Sequence, residues 1–198
     1  MTYLCLDVTT AKAFVALVDC GANTSTVITH DTPLQASSWL IPTFHDLLSQ
    51  CGIATSDLRA IICATGPGSF TGIRIGLAAA QGYGYGLDIP IIGIKTFDFY
   101  KRGFVTPSMG IAIDSKRGDY YSQWYEGGVS GEAPVMREAD DPAFQATSWY
   151  GDSGLLCSLY EGFDPCILVK SLQPWNPQQY LPSPYYMREP STTVPAKS

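Results

Sequence analysis

Glycine recurs at two spacings between residues 66 and 86, and this stretch constrains the fold more strongly than any other part of the chain. The first spacing follows the apolar run 60–64, so we predict a buried strand that ends in a tight turn. The second spacing places a small residue at every fourth position: Gly72, Gly76, Ala80 and Gly84. On a helix these positions form one narrow stripe. Because each helical glycine costs roughly 1 kcal/mol relative to alanine, packing must recover the loss, and we predict that the stripe binds a partner.

The loop 66–72 resembles a phosphate cradle but departs from both common patterns. A Walker loop ends in Gly-Lys-Ser/Thr, and no lysine lies between Lys12 and Lys95. The dinucleotide pattern requires glycine where Thr71 stands. A helix N-terminus binds anions through its free N–H groups, yet we favour a structural turn. Arg74, just beyond, either braces the helix or reaches across an interface to a carboxylate.

The order of apolar runs predicts an α/β fold. Short runs at 3–7, 13–19 and 25–29 are typical of strands, and a helical pattern follows at 37–51, with Ser37 or Ser38 as its cap and Gly52 just past its end. Pro42 predicts a late start or a kink. A strand at 60–64, a helix at 71–86, a strand at 89–94 and a short helix at 96–101 complete the series.

Three strands, a helix, a strand, a helix, a strand and a helix make the βββαβαβα half of the actin-like (ASKHA) fold. A second hairpin at 109–114 and 119–125 indicates a related but reduced second half. We therefore predict an N-terminal subdomain at 1–106, a reduced C-terminal subdomain at 107–182 and a tail at 183–198. Six of the 14 prolines lie between residues 174 and 195, so we expect little regular structure in the tail and disorder at its end.

Composition and charge exclude several classes of protein. The chain is 45% hydrophobic and 15% charged, with no long apolar run and no secretory signal, so we expect a cytoplasmic protein. Its six cysteines are scattered and contain no C-x-x-C pair, which argues against a disulfide framework. The net charge of −6 disfavours direct binding of RNA, because such binding relies on basic residues that neutralise phosphates.

The segment 66–78, GPGSFTGIRIGLA, resembles the signature of the TsaB (YeaZ) family, glycoprotease-like proteins of tRNA threonylcarbamoyladenosine biosynthesis. Residues 6–10, 114–121 and 184–188 are also similar to family segments, whereas 126–182 matches weakly. The resemblance implies a non-catalytic subunit that binds and activates a TsaD-type catalytic subunit. It further implies a TsaE-type ATPase as a second partner, a homodimer when the protein is alone, and contact with tRNA only through the complex.

The first hairpin turn lies where actin-like ATPases hold phosphate and magnesium. Asp7, Thr9 and Thr10 are there, and the loop 151–154, with Gly151 and Gly154, is similar to a remnant of an adenosine loop. We favour degenerate nucleotide-binding geometry over catalysis. Local hydrogen bonding in the turn is the alternative. We expect no tightly bound cofactor, and ATP or ADP only weakly or at a partner interface.

Neither a metal site nor a catalytic nucleophile is predicted. TsaD is similar in fold and binds its metal through two histidines four residues apart on the helix that corresponds to 37–51, whereas His45 has Ile41 and Ser49 at those offsets. His30 lies in a separate polar segment, and Ser69 is not in a G-x-S-x-G elbow. Two alternatives remain: a small actin-like ATPase or kinase, and a homodimeric structural module without a role in tRNA modification.

Overall fold

The computed structural model of the protein describes residues 1–31, 35–130, 132–145, 148–152, 156–174, 176 and 180–188. The helices are α1 (Ala36–Cys51), α2 (Phe70–Leu87), α3 (Thr96–Arg102) and α4 (Pro165–Ser171). The strands are β1 (Thr2–Asp7), β2 (Ala13–Asp19), β3 (Thr24–His30), β4 (Leu58–Ala64), β5 (Ile91–Ile94), β6 (Met109–Asp114), β7 (Asp119–Glu126), β8 (Val129–Ser130), β9 (Val135–Glu138), β10 (Trp149–Gly151) and β11 (Cys157–Ser158). Within the described residues, no helix has both the length and the apolar content needed to cross a bilayer.

The first sheet has the strand order β3-β2-β1-β4-β5. Strands β1, β2 and β3 are antiparallel, and β4 and β5 extend the sheet in parallel. Side chains alternate across β1, so Leu4 and Leu6 pack under α1 and α2 while Tyr3 and Cys5 pack toward the second sheet. The centre of the sheet is therefore buried on both faces, which explains why its central strands are mostly apolar.

The second sheet repeats this topology with fewer helices. Its order is β11-β10-β6-β7-β8, with β9 also paired to β7. As in the first sheet, a central antiparallel hairpin is extended on one side by parallel strands. Within the described residues, a 3₁₀ turn at Pro142–Gln145 takes the place of a full helix between β9 and β10. The prediction of an actin-like α/β fold with a reduced second half is confirmed.

Helix α1 differs from its prediction at one end. It begins at Ala36 after Gln35, so the predicted caps Ser37 and Ser38 are wrong, and Ser38 lies in the first turn with its hydroxyl donating to the Gln35 carbonyl. Pro42 lies inside the helix, so a late start is also wrong. The end was predicted correctly, because Gly52 adopts a left-handed conformation (φ 64°) and its N–H donates to carbonyls of the last turn.

Residues 180–188, which include the described part of the tail, pack against the first sheet. Tyr180 accepts a backbone hydrogen bond from Gly93, and Tyr185 donates one to Thr65. No helix or strand occurs in residues 180–188. The end of the tail, where disorder is predicted, lies outside the described residues, and the division at 106/107 and 182/183 stays a prediction.

Candidate functional site

The first hairpin turn is built around the buried carboxylate of Asp7, at the end of β1. It accepts hydrogen bonds from the Thr9 N–H at 2.7 Å, the Thr10 hydroxyl at 2.8 Å and the Tyr100 hydroxyl at 2.5 Å. Burial raises the pKa of the Asp7 carboxyl, and these hydrogen bonds oppose that effect. The carboxylate is thus held by donors of its own chain.

Two tyrosines cover this turn. The Tyr160 hydroxyl lies 2.8 Å from the Thr10 hydroxyl and accepts from the Lys12 N–H at 3.0 Å. Its ring meets that of Tyr100 edge to face, with centroids 6.1 Å apart. Burial raises the pKa of both phenols, so both hydroxyls are neutral at physiological pH.

Asp152 joins the two hairpins of the molecule. One carboxylate oxygen accepts from the Ala11 N–H at 2.9 Å in the first turn, and the other accepts from the Asp114 N–H at 2.8 Å at the end of β6. Burial raises the pKa of the Asp152 carboxyl to about 6. An anionic side chain of the protein thus takes up backbone donors from both turns, as a bound phosphate would.

The second hairpin turn carries two basic residues, Lys116 and Arg117. Lys116 is left-handed (φ 63°), and its N–H and amine both donate to Asp114, at 2.6 and 3.0 Å. Asp119 accepts short hydrogen bonds from Ser115 and from Arg188 of the tail. These side chains are engaged within the turn and the tail.

The predicted loop 151–154 is described only at its start. Gly151 belongs to β10, and a Cβ there would lie 2.6 Å from Leu156 and 3.0 Å from the Ala112 carbonyl oxygen. Glycine is therefore needed at position 151 for close packing between strands. Gly154 lies outside the described residues.

The loop between β4 and α2 packs on the first hairpin turn. The Ser69 N–H donates to the Thr9 carbonyl at 2.7 Å, and the Ser69 hydroxyl caps α2 by accepting from the Gly72 N–H at 3.2 Å. A Cβ at Gly68 would lie 2.3 Å from the Thr9 carbonyl oxygen, and one at Gly72 would lie 1.9 Å from that of Val8. The glycines allow this backbone approach, which supports the structural interpretation of the motif.

The glycine stripe of α2 faces the protein's own sheet, so its prediction as an available partner surface is wrong. Gly72, Gly76, Ala80 and Gly84 are all buried. A Cβ at Gly76 would lie 2.9 Å from Val8, and one at Gly84 would lie 2.4 Å from Ile91. The close packing inferred from the spacing exists, but with a sheet of the same chain.

A second set of positions, also four apart, lies on the opposite side of α2. Arg74, Ala78, Gly82 and Gly86 are exposed. A Cβ at Gly82 or Gly86 would meet no atom within 4 Å. The Arg74 guanidinium lies 3.9 Å from the centre of the Phe70 ring, and its Nε lies 3.5 Å from the Tyr186 hydroxyl, so this residue braces the helix start against the tail. The four-residue spacing of positions 74, 78, 82 and 86 is the sequence signal that marks this second set.

Both histidines have structural contacts. His30 stacks on Trp39 with centroids 3.9 Å apart and contacts the Thr43 hydroxyl at 3.1 Å. His45 on α1 lies 2.8 Å from the Tyr83 hydroxyl on α2 and links the two helices. Within the described residues, no three His, Cys, Asp or Glu side chains cluster as metal ligands would.

The chain matches a family model described as "TsaD: tRNA N6-adenosine threonylcarbamoyltransferase" over residues 31–144. This match spans more than half of the chain, so the chain belongs to that family. Within it, the relatives place the chain with TsaB, also called YeaZ, and the resemblance inferred from the sequence is confirmed.

Two curated relatives carry the name tRNA threonylcarbamoyladenosine biosynthesis protein TsaB. The Escherichia coli protein is 32% identical over 133 residues, covering 64% of this chain and 55% of the relative. The Bacillus subtilis protein is 31% identical over 132 residues, covering 64% and 56%. The chain thus spans little more than half the length of these relatives.

Two solved structures from Pseudomonas aeruginosa are similar in fold. YeaZ matches with a TM-score of 0.69 and 21% identity, over 94% of this chain and 99% of that one. An uncharacterized protein with similarity to peptidase YEAZ matches with a TM-score of 0.62 and 26% identity, over 76% and 74%.

Proposed function

We propose that the protein acts in the synthesis of threonylcarbamoyladenosine in tRNA, as a non-catalytic subunit that binds and activates a TsaD-type catalytic subunit. The names of the curated relatives support the pathway. The observation that carries the non-catalytic role is the carboxylate of Asp7, which accepts three hydrogen bonds from groups of the protein itself. An ATPase needs carboxylate oxygens free to orient magnesium and its waters, and here they are occupied by the protein's own donors.

The surface we propose for the catalytic subunit is the outer helix face, formed by Ile41 and His45 of α1 with Ala78, Gly82 and Tyr85 of α2. All five residues are exposed. Tyr85 is 76% exposed, and Ile41 is 38% exposed. An exposed aromatic residue beside small ones offers both an anchor and a close approach for a partner helix. This face replaces the buried stripe as the proposed interface.

The remaining partners follow from the same family membership and are part of the proposal. A TsaE-type ATPase joins the pair, the outer helix face forms a homodimer when the catalytic subunit is absent, and tRNA is contacted only through the complex. The net charge of −6 agrees with indirect contact, because the chain has no excess of basic residues to neutralise phosphates. The proposal places this work in the cytoplasm, with no tightly bound cofactor.

A substitution at Gly82 tests the proposal. Gly82→Arg puts a long charged side chain on the outer helix face, where the folded monomer has room for it. We expect the variant to fold but to lose association with the TsaD-type subunit in size-exclusion chromatography with mass measurement. Formation of threonylcarbamoyladenosine, reconstituted with the other pathway proteins, should fall in parallel, since an activating subunit acts only while bound.

Gly82→Ala is the matched control and should retain both association and activity. Full activity from Gly82→Arg in a preparation shown not to associate would contradict the activating role. Full modification by the remaining proteins with this one omitted would also contradict it and would favour the structural homodimer.

A further inference from the structure

The negative charge of the protein is concentrated in one part of the chain. Residues 119–152 hold seven of the 18 acidic residues and only one of the 12 basic ones, Arg137. The rest of the chain holds eleven of each sign and is formally neutral. The net charge of −6 therefore belongs to the second sheet and its connections.

The outer face of that sheet, turned away from the first sheet, carries an aromatic cluster separate from the two main cores. Tyr120, Trp124, Phe144 and Trp149 form it, and we call it the aromatic face. Trp149 is buried and contacts both Phe144 and Trp124, with centroids 5.1 and 5.5 Å apart. Trp124 and Phe144 are only partly buried. A Cβ at Gly110 would lie 2.3 Å from the Trp149 ring, so glycine there lets the indole lie against β6.

Two clefts open on the aromatic face, and Trp149 lines one of them. One has a volume of about 400 Å³ and runs between Trp124, Glu132, Arg137 and Trp149. The other has a volume of about 290 Å³ and lies between Tyr120, Asp140, Phe144 and Leu156. Both clefts combine an aromatic floor with carboxylates at the rim.

The rim carboxylates are available to a partner. Glu132 and Asp140, which line the two clefts, are exposed. The segment's single basic side chain, Arg137, is 3.0 Å from Asp141 and lies over the Trp149 ring at 5.8 Å. Its buried Nε has no hydrogen-bond acceptor within the described residues. The face thus has an apolar floor and an acidic rim.

We propose that the aromatic face docks a basic polypeptide segment of a partner protein, one that carries an aliphatic or aromatic anchor. The anchor enters a cleft beside Trp149, and lysines or arginines on either side pair with the rim carboxylates. An apolar centre with a charged rim is the usual arrangement of a specific interface, and complementary charge selects the partner and speeds association. A second copy of this chain, a nucleic acid or an anionic membrane is disfavoured, because each brings negative charge to an acidic surface. The inference is independent of the proposed function, since the outer helix face belongs to the first sheet's helices.

The test uses the intact protein and a short fluorescent peptide in which lysine alternates with leucine. We expect saturable binding in fluorescence anisotropy that weakens as salt rises. A peptide of equal charge with glycine in place of leucine, and one with glutamate in place of lysine, should bind at least about tenfold more weakly. The indole N–H resonances of Trp124 and Trp149 should shift on binding, and that of Trp39 should not.

Two matched double variants locate the site. Glu132→Lys with Asp140→Lys should weaken binding at least about tenfold, whereas Asp46→Lys with Glu161→Lys changes the net charge equally elsewhere and should not. Trp124→Ala should also weaken binding. Absence of saturable binding, equal losses in the two double variants, or equal binding of the glycine peptide would each overturn the proposal.

Discussion

At the scale of single residues, buried carboxylates decide what the hairpin turns can do. Asp7 and Asp152 are both held by donors of the chain, and burial raises the pKa of both. The sequence indicated that Asp7 and Thr10 would lie in a turn, and local patterning sufficed for that. It could not indicate Tyr100, which is 93 positions from Asp7 and meets it only in the folded protein.

Asp152 makes the free energy of unfolding depend on pH. Its pKa rises from an ordinary 3.8 to about 6 on folding, so the folded state holds a proton that the unfolded state releases between about pH 4 and pH 6. This contribution to stability is therefore present at low pH and lost as pH rises through that window, by at most about 3 kcal/mol. Asp152→Asn should remove this fall in stability between pH 4 and pH 6. Urea denaturation at several pH values measures the free energy of unfolding and checks the prediction. Wild-type and variant curves that run parallel between pH 4 and pH 6 would contradict the assignment.

At the scale of elements, the residue spacing of helix α2 predicted some features of the helix but not its orientation. Its existence, its start near the glycine loop and its close packing were predicted from the sequence and are confirmed. The sequence did not predict which side of α2 packs against the sheet. There are two runs of mostly small residues four apart, one at positions 72, 76, 80 and 84 and one at positions 74, 78, 82 and 86. Two residues correspond to about 200° around a helix, so the two runs lie on opposite sides.

The same substitution on these two sides should change stability in opposite directions. Gly72→Ala places a Cβ 1.9 Å from the Val8 carbonyl oxygen, and we expect a loss of roughly 1–3 kcal/mol or more in the free energy of unfolding. Gly82→Ala meets no atom within 4 Å and should gain up to about 1 kcal/mol, because alanine favours the helix. Chemical denaturation of both variants checks the pair. Equal effects would contradict the assignment of buried and exposed sides.

At the scale of the whole molecule, side chains of the protein connect its two halves. The first hairpin turn is joined to the second half by Asp152 and by Tyr160, and the tail adds the ion pair of Arg188 with Asp119. In an actin-like ATPase the corresponding space between the halves is where nucleotide binds. Here the protein's own side chains hold the turns together.

The contacts between the first hairpin turn and the second half predict weak nucleotide binding by the isolated protein. Binding ATP with magnesium would require breaking the contacts of Tyr100, Tyr160 and Asp152 with the first turn, and each buried group left unpaired costs about 1–3 kcal/mol. We expect no detectable heat in titration calorimetry at micromolar protein and no ATP turnover above background. Turnover that disappears in Asp7→Asn would instead support the ATPase alternative.

The sequence by itself determined the order of strands and helices from β1 to β7, the left-handed end of α1 at Gly52, the tight turn before α2 and membership of the family. All of these depend on neighbours within a few positions, where periodicity and turn chemistry act directly. Only the tertiary structure decided which side of α2 faces the sheet, that Tyr100 and Tyr160 cover the first turn, and that Asp152 bridges the two halves. These contacts join residues far apart in the chain, and their partners are chosen by the packing of whole sheets and helices, which local patterns do not encode.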